Sequence, residues 1–148
     1  MKRIVYLNGE YVDESKAKVS IFDRALFFSD ALYEVTSVID GKLIDFDNHM
    51  KRLDRSMTEL KYPRMLNHEE IKIFHRDLVK KNNLKEGTVY LQVSRGVAER
   101  SFDFPNSDND FTVTAFTQEK DLINNKSALQ GISVMTIEDN RWGRCDIK

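Results

Sequence analysis

Apolar residues along this chain switch between two periods, and the switches mark out its elements. Ile4-Val5-Tyr6-Leu7 reads as a strand, Asn8-Gly9 as a tight turn and Glu10-Tyr11-Val12 as its return, because Asn-Gly supplies the positive φ values that two-residue hairpins demand. Tyr33 to Ile39 is rich in β-branched residues, turns at Asp40-Gly41 and comes back through Lys42-Leu43-Ile44. Strand alternation places Tyr33, Val35 and Ser37 on one face and Glu34, Thr36 and Val38 on the other. The period then changes. Phe46, Met50, Leu53, Met57 and Leu60 recur at spacings of four, three, four and three, one face of an amphipathic helix with Asp45 or Asp47 placed to cap it and Pro63 to end it. Asn67 and Glu70 make a capping pair for a second helix carrying Ile71, Phe74, Leu78 and Val79, on which His68 and His75 read as solvent-facing. Thr88 to Ser94 and Asp110 to Thr117 return to alternation, and after a polar stretch Gly131 to Ile137 reads as a further strand.

Strands outnumber helices and hairpins dominate, so the expected fold is α+β, a largely antiparallel sheet with two helices on one side, followed by the start of a second β-rich domain. The expected division is an N-terminal α/β domain over 1–118, an interdomain linker over 119–130 and, over 131–148, the first strand of the second domain with the segment it leads into. Between the first hairpin and the Tyr33 strand, Val19 to Leu32 is apolar without a clean period and is interrupted by Asp23, Arg24 and Asp30. Such a segment hides a buried ion pair or shapes a pocket wall.

Charge and composition narrow the function classes. Twenty-three basic against twenty-four acidic residues leave a net charge of -1, which argues against a nucleic-acid or polybasic membrane surface. No stretch approaches the roughly 20 apolar residues of a membrane span, and the single cysteine, Cys145, has no internal partner for a disulfide, so the expectation is a cytoplasmic protein with neither nucleic-acid nor membrane partners. The histidines stand at no zinc-like spacing, so no metal site is expected.

Candidate chemistry sits at four places. Arg141-Trp142-Gly143-Arg144-Cys145-Asp146-Ile147-Lys148 gathers cations, an indole, a thiol and a carboxylate after an apolar segment. Lys148 there is either a carbonyl-attacking amine made neutral by neighbouring Arg141 and Arg144 or part of a solvated basic tail. Arg52, three residues after His49 on the first helix, is either a solvated surface group or an anion ligand. Arg95 and Arg100 lie on a loop leaving a strand, where arginines either capture anions or are plain surface. Tyr33 is either a core or edge aromatic or a site residue.

Arg-Cys-Asp-Ile-Lys after Arg-Trp resembles the cofactor-lysine segment of D-amino acid transaminases, in the fold-type IV, branched-chain aminotransferase-like family of pyridoxal phosphate enzymes. Asp23-Arg24, followed by Phe28-Ser29-Asp30-Ala31-Leu32-Tyr33-Glu34-Val35, is similar to that family's signature, with Ser29 and Ala31 where glycines flank the aspartate. Asn48-His49-Met50-Lys51-Arg52-Leu53 resembles its His-x-x-Arg-Leu segment. The resemblance implies that Lys148 carries pyridoxal 5'-phosphate and is catalytic, that Arg52 grips the cofactor phosphate with His49 in a packing or supporting place, and that Tyr33 and Arg100 bind the substrate carboxylate. Arg100 would reach across a homodimer interface, and Phe102 stands where the family has a histidine. The implied activity is transfer of an amino group between an amino acid, D-amino acids favoured, and a 2-oxo acid. A branched-chain aminotransferase, an R-selective amine transaminase and an aminodeoxychorismate lyase are the alternatives within the family, and a non-catalytic α/β interaction module is the alternative outside it. Family members are longer than this chain, which therefore reads as the front half of an enzyme, inactive alone.

Overall fold

The computed structural model describes residues 3–105 and 109–146. Both expected hairpins form for the reason their sequences give. Asn8 and Gly9 take φ of 49° and 96°, folding β1 (Ile4–Leu7) onto β2 (Glu10–Asp13). Asp40 and Gly41 take 50° and 69° between β3 (Ala31–Ile39) and β4 (Lys42–Leu43). With β5 (Gly87–Ser94) and β6 (Thr112–Glu119), the described residues form one six-stranded sheet in the order β2-β1-β6-β5-β3-β4, antiparallel at every pairing.

Two helices cover one face of it. In α2 (Phe46–Glu59) and α3 (His68–Lys81) the periodic apolar residues pack with Leu32, Val38, Val89, Leu91, Val93 and Ala115 of the sheet. Met50, Leu53 and Met57 are fully buried, so truncating any one of them to alanine costs about 2–5 kcal/mol. Asn67 caps α3 by accepting the backbone N–H groups of Glu69 and Glu70. Asp45 precedes α2 in left-handed geometry and makes no side-chain cap; its carboxylate takes the Asn48 amide instead. Leu60, expected on the apolar stripe, follows the last helical residue and is half-exposed.

Two expectations are corrected. His75 does not face solvent: it is fully buried, with Nδ1 donating to the Ile71 carbonyl at 2.9 Å and its ring 5.5 Å from Phe46 and 5.1 Å from Phe74. Its place one turn after Ile71 puts it on the core stripe. Gly131 to Ile137 forms no strand, and Ile132, Val134, Met135 and Ile137 are exposed. A strand exists only where a neighbour takes its backbone N–H and C=O groups, and no described strand lies alongside this one. Just before it, the polar stretch carries a short helix, α4 (Lys126–Gln130), capped by Asn125.

The irregular Val19 to Leu32 segment does hide ion pairs. Within it α1 (Arg24–Phe28) is capped by the Asp23 carboxylate on the Ala25 N–H. Buried Arg24 donates through Nε to Asp30 at 2.8 Å. Ser29 takes the left-handed φ of 53°, a conformation that costs a residue with a Cβ about 1–2 kcal/mol.

Candidate active site

The site grows out of the alternation of β3. Its core-facing register brings Leu32, Glu34, Thr36 and Val38 under the helices, and Glu34 is the one carboxylate among them. Its side chain is 3% exposed, and a carboxylate so placed is costly unless charged partners meet it. They come from α2. Arg52 donates Nε to Glu34 Oε1 at 2.8 Å and Nη2 to Oε2 at 2.7 Å, and His49 Nδ1 donates to Oε2 at 2.7 Å. Histidine and arginine lie three positions apart on the helix and so reach the same strand. Burial alone would raise the Glu34 pKa; the hydrogen bonds and charges of Arg52 and His49 outweigh it and hold the carboxyl below its ordinary value. The hydrogen bonds to Glu34, and then its charge, hold the Arg52 guanidinium above its ordinary value.

The opposite register of β3 presents Tyr33, 64% exposed. Its ring stacks on Tyr90 of β5 at 5.6 Å and 12°, and Tyr90 stacks on Phe116 of β6 at 5.0 Å and 24°. This ladder fixes where the phenol points. Tyr33, Glu34, Arg52, Arg55 and Ser56 line one open groove of about 640 Å³. Arg52, with its side chain 59% exposed, thus offers its remaining N–H groups at the groove beside a phenol, a second arginine and a serine. That is a donor set for an anion such as a phosphate ester.

Arg100 is not brought to this groove. It lies on the loop after β5, 5.6 Å from the Phe28 ring and 5.5 Å from that of Phe102, which is 82% exposed. Arg95, its companion on the same loop, is no anion ligand at all. It is buried, donates Nε to Asp30 at 2.9 Å, and spends its other nitrogens on the carbonyls of Leu60 and Lys61 at the end of α2, at 2.7 and 3.1 Å. Lys148 lies outside the described residues. Arg141 and Arg144, the cations expected beside it, are each paired locally, with Asp139 at 2.7 Å and Asp146 at 2.8 Å. Among the described residues no cluster of three or more His, Cys, Asp or Glu is arranged to hold a metal, and no helix is long and apolar enough to cross a membrane.

Glu34 was not singled out by sequence reasoning. The signal was present in the strand pattern, since a carboxylate on the face shared with Leu32 and Val38 must be paired.

A one-sheet α+β unit with a groove at a sheet-helix junction, lined by Arg52 and Arg55 and also by Glu34 and Glu59, defines a class of domain, and similarity to known proteins places it in a family. The family model for amino-transferase class IV matches residues 31–148, and the chain belongs to that family. It is 39% identical over 144 residues to D-alanine aminotransferase of Staphylococcus haemolyticus, covering 97% of this chain and 51% of the relative. To D-alanine aminotransferase of Bacillus licheniformis it is 35% identical over 147 residues, covering 97% and 50%. The fold matches branched-chain amino acid aminotransferase of Escherichia coli with a TM-score of 0.73 at 21% identity, over 86% of this chain and 43% of that one. The chain therefore spans about half the length of the relatives it matches.

Proposed function

We propose that this chain is the cofactor- and substrate-holding part of a pyridoxal 5'-phosphate-dependent aminotransferase that exchanges an amino group between a D-amino acid and a 2-oxo acid. The observation that carries the reading is the exposed Arg52 guanidinium, anchored on Glu34 and opening onto the groove beside Tyr33. The likeness to the staphylococcal D-alanine aminotransferase supports the D-preference.

The donor set fits the cofactor. Arg52 holds its phosphate, and Lys148 at the end of the matched segment is its attachment point. When bound, the cofactor supplies the electron sink that makes the substrate's α-proton acidic. The chain's own residues do the rest. Lys148 Nζ takes the proton from the substrate Cα and returns one on the other half of the exchange, as general base and then general acid. The Tyr33 hydroxyl, fixed by its stack on Tyr90, donates toward the substrate carboxylate. Arg100, which stands apart from the groove of its own chain, serves that carboxylate from the partner protomer of a homodimer. The apolar Ile132 to Ile137 run is covered by a second domain reached through the 119–130 linker. The enzyme works in the cytoplasm.

Phe102 favours a second reading. Where a histidine would give the carboxylate another donor, it gives none, which suits an amine without a carboxylate, handled by a different class IV activity. The deciding experiment incubates the purified holoenzyme with D-alanine, L-leucine or an aromatic amine, each with 2-oxoglutarate, and follows formation of the carbonyl product. Pyruvate from D-alanine is the expected result; turnover of L-leucine alone overturns the D-amino acid reading.

A further inference from the structure

We propose that Glu34 is the positioning residue of the phosphate site, a buried carboxylate that fixes the plane of the Arg52 guanidinium so that its outward N–H groups meet the phosphate ester in one orientation. The inference rests on the reading of Arg52 as the phosphate ligand and goes a step below it.

The two ends of this pair live in different surroundings. Glu34 is 3% exposed and Arg52 59% exposed, so the anchor sits in the protein interior and the anchored group at the groove. An exposed arginine loses rotamer freedom when a ligand fixes it. Here the fixing is done before any ligand arrives, because Nε and Nη2 are both engaged, at 2.8 and 2.7 Å. Two-point contact sets a plane, which one contact does not. Of the five guanidinium N–H groups, Glu34 takes two, which leaves the two on Nη1 and the second on Nη2, whose nitrogen lies 3.4 Å from His49 Nδ1. His49 has a part in the same device: its Nδ1–H on Oε2, at 2.7 Å, holds the carboxylate in turn, so Glu34 is itself prevented from rotating. The arrangement parallels metal sites, where partners behind the ligands orient them.

Two rival roles make different predictions. A carboxylate that merely knits β3 to α2 affects stability and leaves cofactor affinity alone. A carboxylate that competes with phosphate for Arg52 weakens binding, so its removal tightens it.

The test measures the dissociation constant for pyridoxal 5'-phosphate by fluorescence titration, and the phosphorus-31 resonance of the bound cofactor, in wild type, Glu34→Gln, Arg52→Lys, Arg52→Gln and the Glu34→Gln/Arg52→Gln double variant. Glu34→Gln keeps the shape of the side chain but faces one guanidinium N–H with an amide NH2. Arg52→Lys is at an exposed position, keeps the charge and lacks the fork, so it reports on orientation even if Glu34→Gln does not fold. Expected are a 10- to 100-fold weaker affinity in both, the scale on which such outer partners act, with a shifted phosphorus resonance, and a double variant no weaker than Arg52→Gln alone. Unchanged or tighter binding in Glu34→Gln, or wild-type affinity in Arg52→Lys, overturns the inference while Arg52→Gln still weakens binding. Wild-type affinity and resonance in Arg52→Gln overturn the underlying reading of Arg52 instead.

Discussion

Asp30 and Arg95, 65 residues apart in sequence, meet at 2.9 Å in the protein interior, and the same carboxylate oxygen takes Arg24 Nε at 2.8 Å. One carboxylate thus joins the turn before β3 to the loop after β5. Arg24 carries the link onward, donating to the carbonyls of Ser101 and Asp103 at 3.0 and 3.1 Å, beside Arg100. The three side chains are 4% to 10% exposed, so no water replaces a lost partner. Asp30→Asn leaves two buried guanidinium groups sharing one neutral oxygen. Its expected cost is about 3–5 kcal/mol, read as a lower urea midpoint. Hydrogen exchange then quickens in residues 95–104 before it does in β1 and β2. A variant within 1 kcal/mol of wild type would show that the hub is not structural.

His75 makes stability depend on pH. An unfolded histidine titrates near 6.5, whereas burial, with a smaller push from His49 and against the bond to Ile71, lowers the folded value to about 4. Between those values the unfolded chain binds the proton and the folded chain does not. Stability therefore rises with pH through that window and falls as acid is added, by ~3 kcal/mol once the pH is below both values. Nε2 also has no hydrogen-bond partner, so an apolar replacement loses little at neutral pH. His75→Leu should gain on wild type by ~2–3 kcal/mol between pH 7 and pH 4 in denaturant titrations. A constant difference across that range would mean that His75 is not the group responsible.

What the sequence disclosed here was local, and what it hid was pairing. Asn8-Gly9, Asp40-Gly41 and the Phe46 to Met57 stripe each specify their element through their own backbone preferences, and each forms. Arg95 and Arg100 stand on one loop with the same chemistry, and nothing local says that the first turns inward to Asp30 and the second stays outside. His75 was legible by position, one turn beyond Ile71, but its residue type suggested water. For Ile132 to Ile137 the error ran the other way: the residues suit a strand, but β propensity does not supply a partner.

The Glu86 side chain holds the chain as it leaves β6. One carboxylate oxygen accepts the backbone N–H groups of Leu122 and of Ile123, the latter at 2.7 Å, while the Glu86 carbonyl takes the Lys120 N–H at 3.3 Å. The direction in which residues 120–124 depart is set by that side chain. Glu86→Ala removes the acceptor without touching the core. The Leu122 and Ile123 amides should then exchange roughly tenfold faster, as loss of a bond of about 1.4 kcal/mol requires, with the thermal midpoint nearly unchanged. Unaltered exchange at both amides would rule out the clamp.

Phe102 stands where the family resemblance implies a histidine, and the structure makes that substitution cheap to test. The ring is 82% exposed and lies 5.8 Å from the Phe28 ring and 5.5 Å from the Arg100 guanidinium. Phe102→His therefore removes little packing, and stability should stay within about 0.5 kcal/mol. Its effect should be on substrate. If Arg100 serves the carboxylate, a histidine two positions on adds a donor to the same oxygens, and one such hydrogen bond to a charged group is worth about 1.5–3 kcal/mol. A rise of about tenfold or more in kcat/KM for D-alanine follows, with a smaller change for an amine that has no carboxylate. An equal change for both substrates would detach position 102 from carboxylate recognition and favour the second proposed reading, a different class of donor.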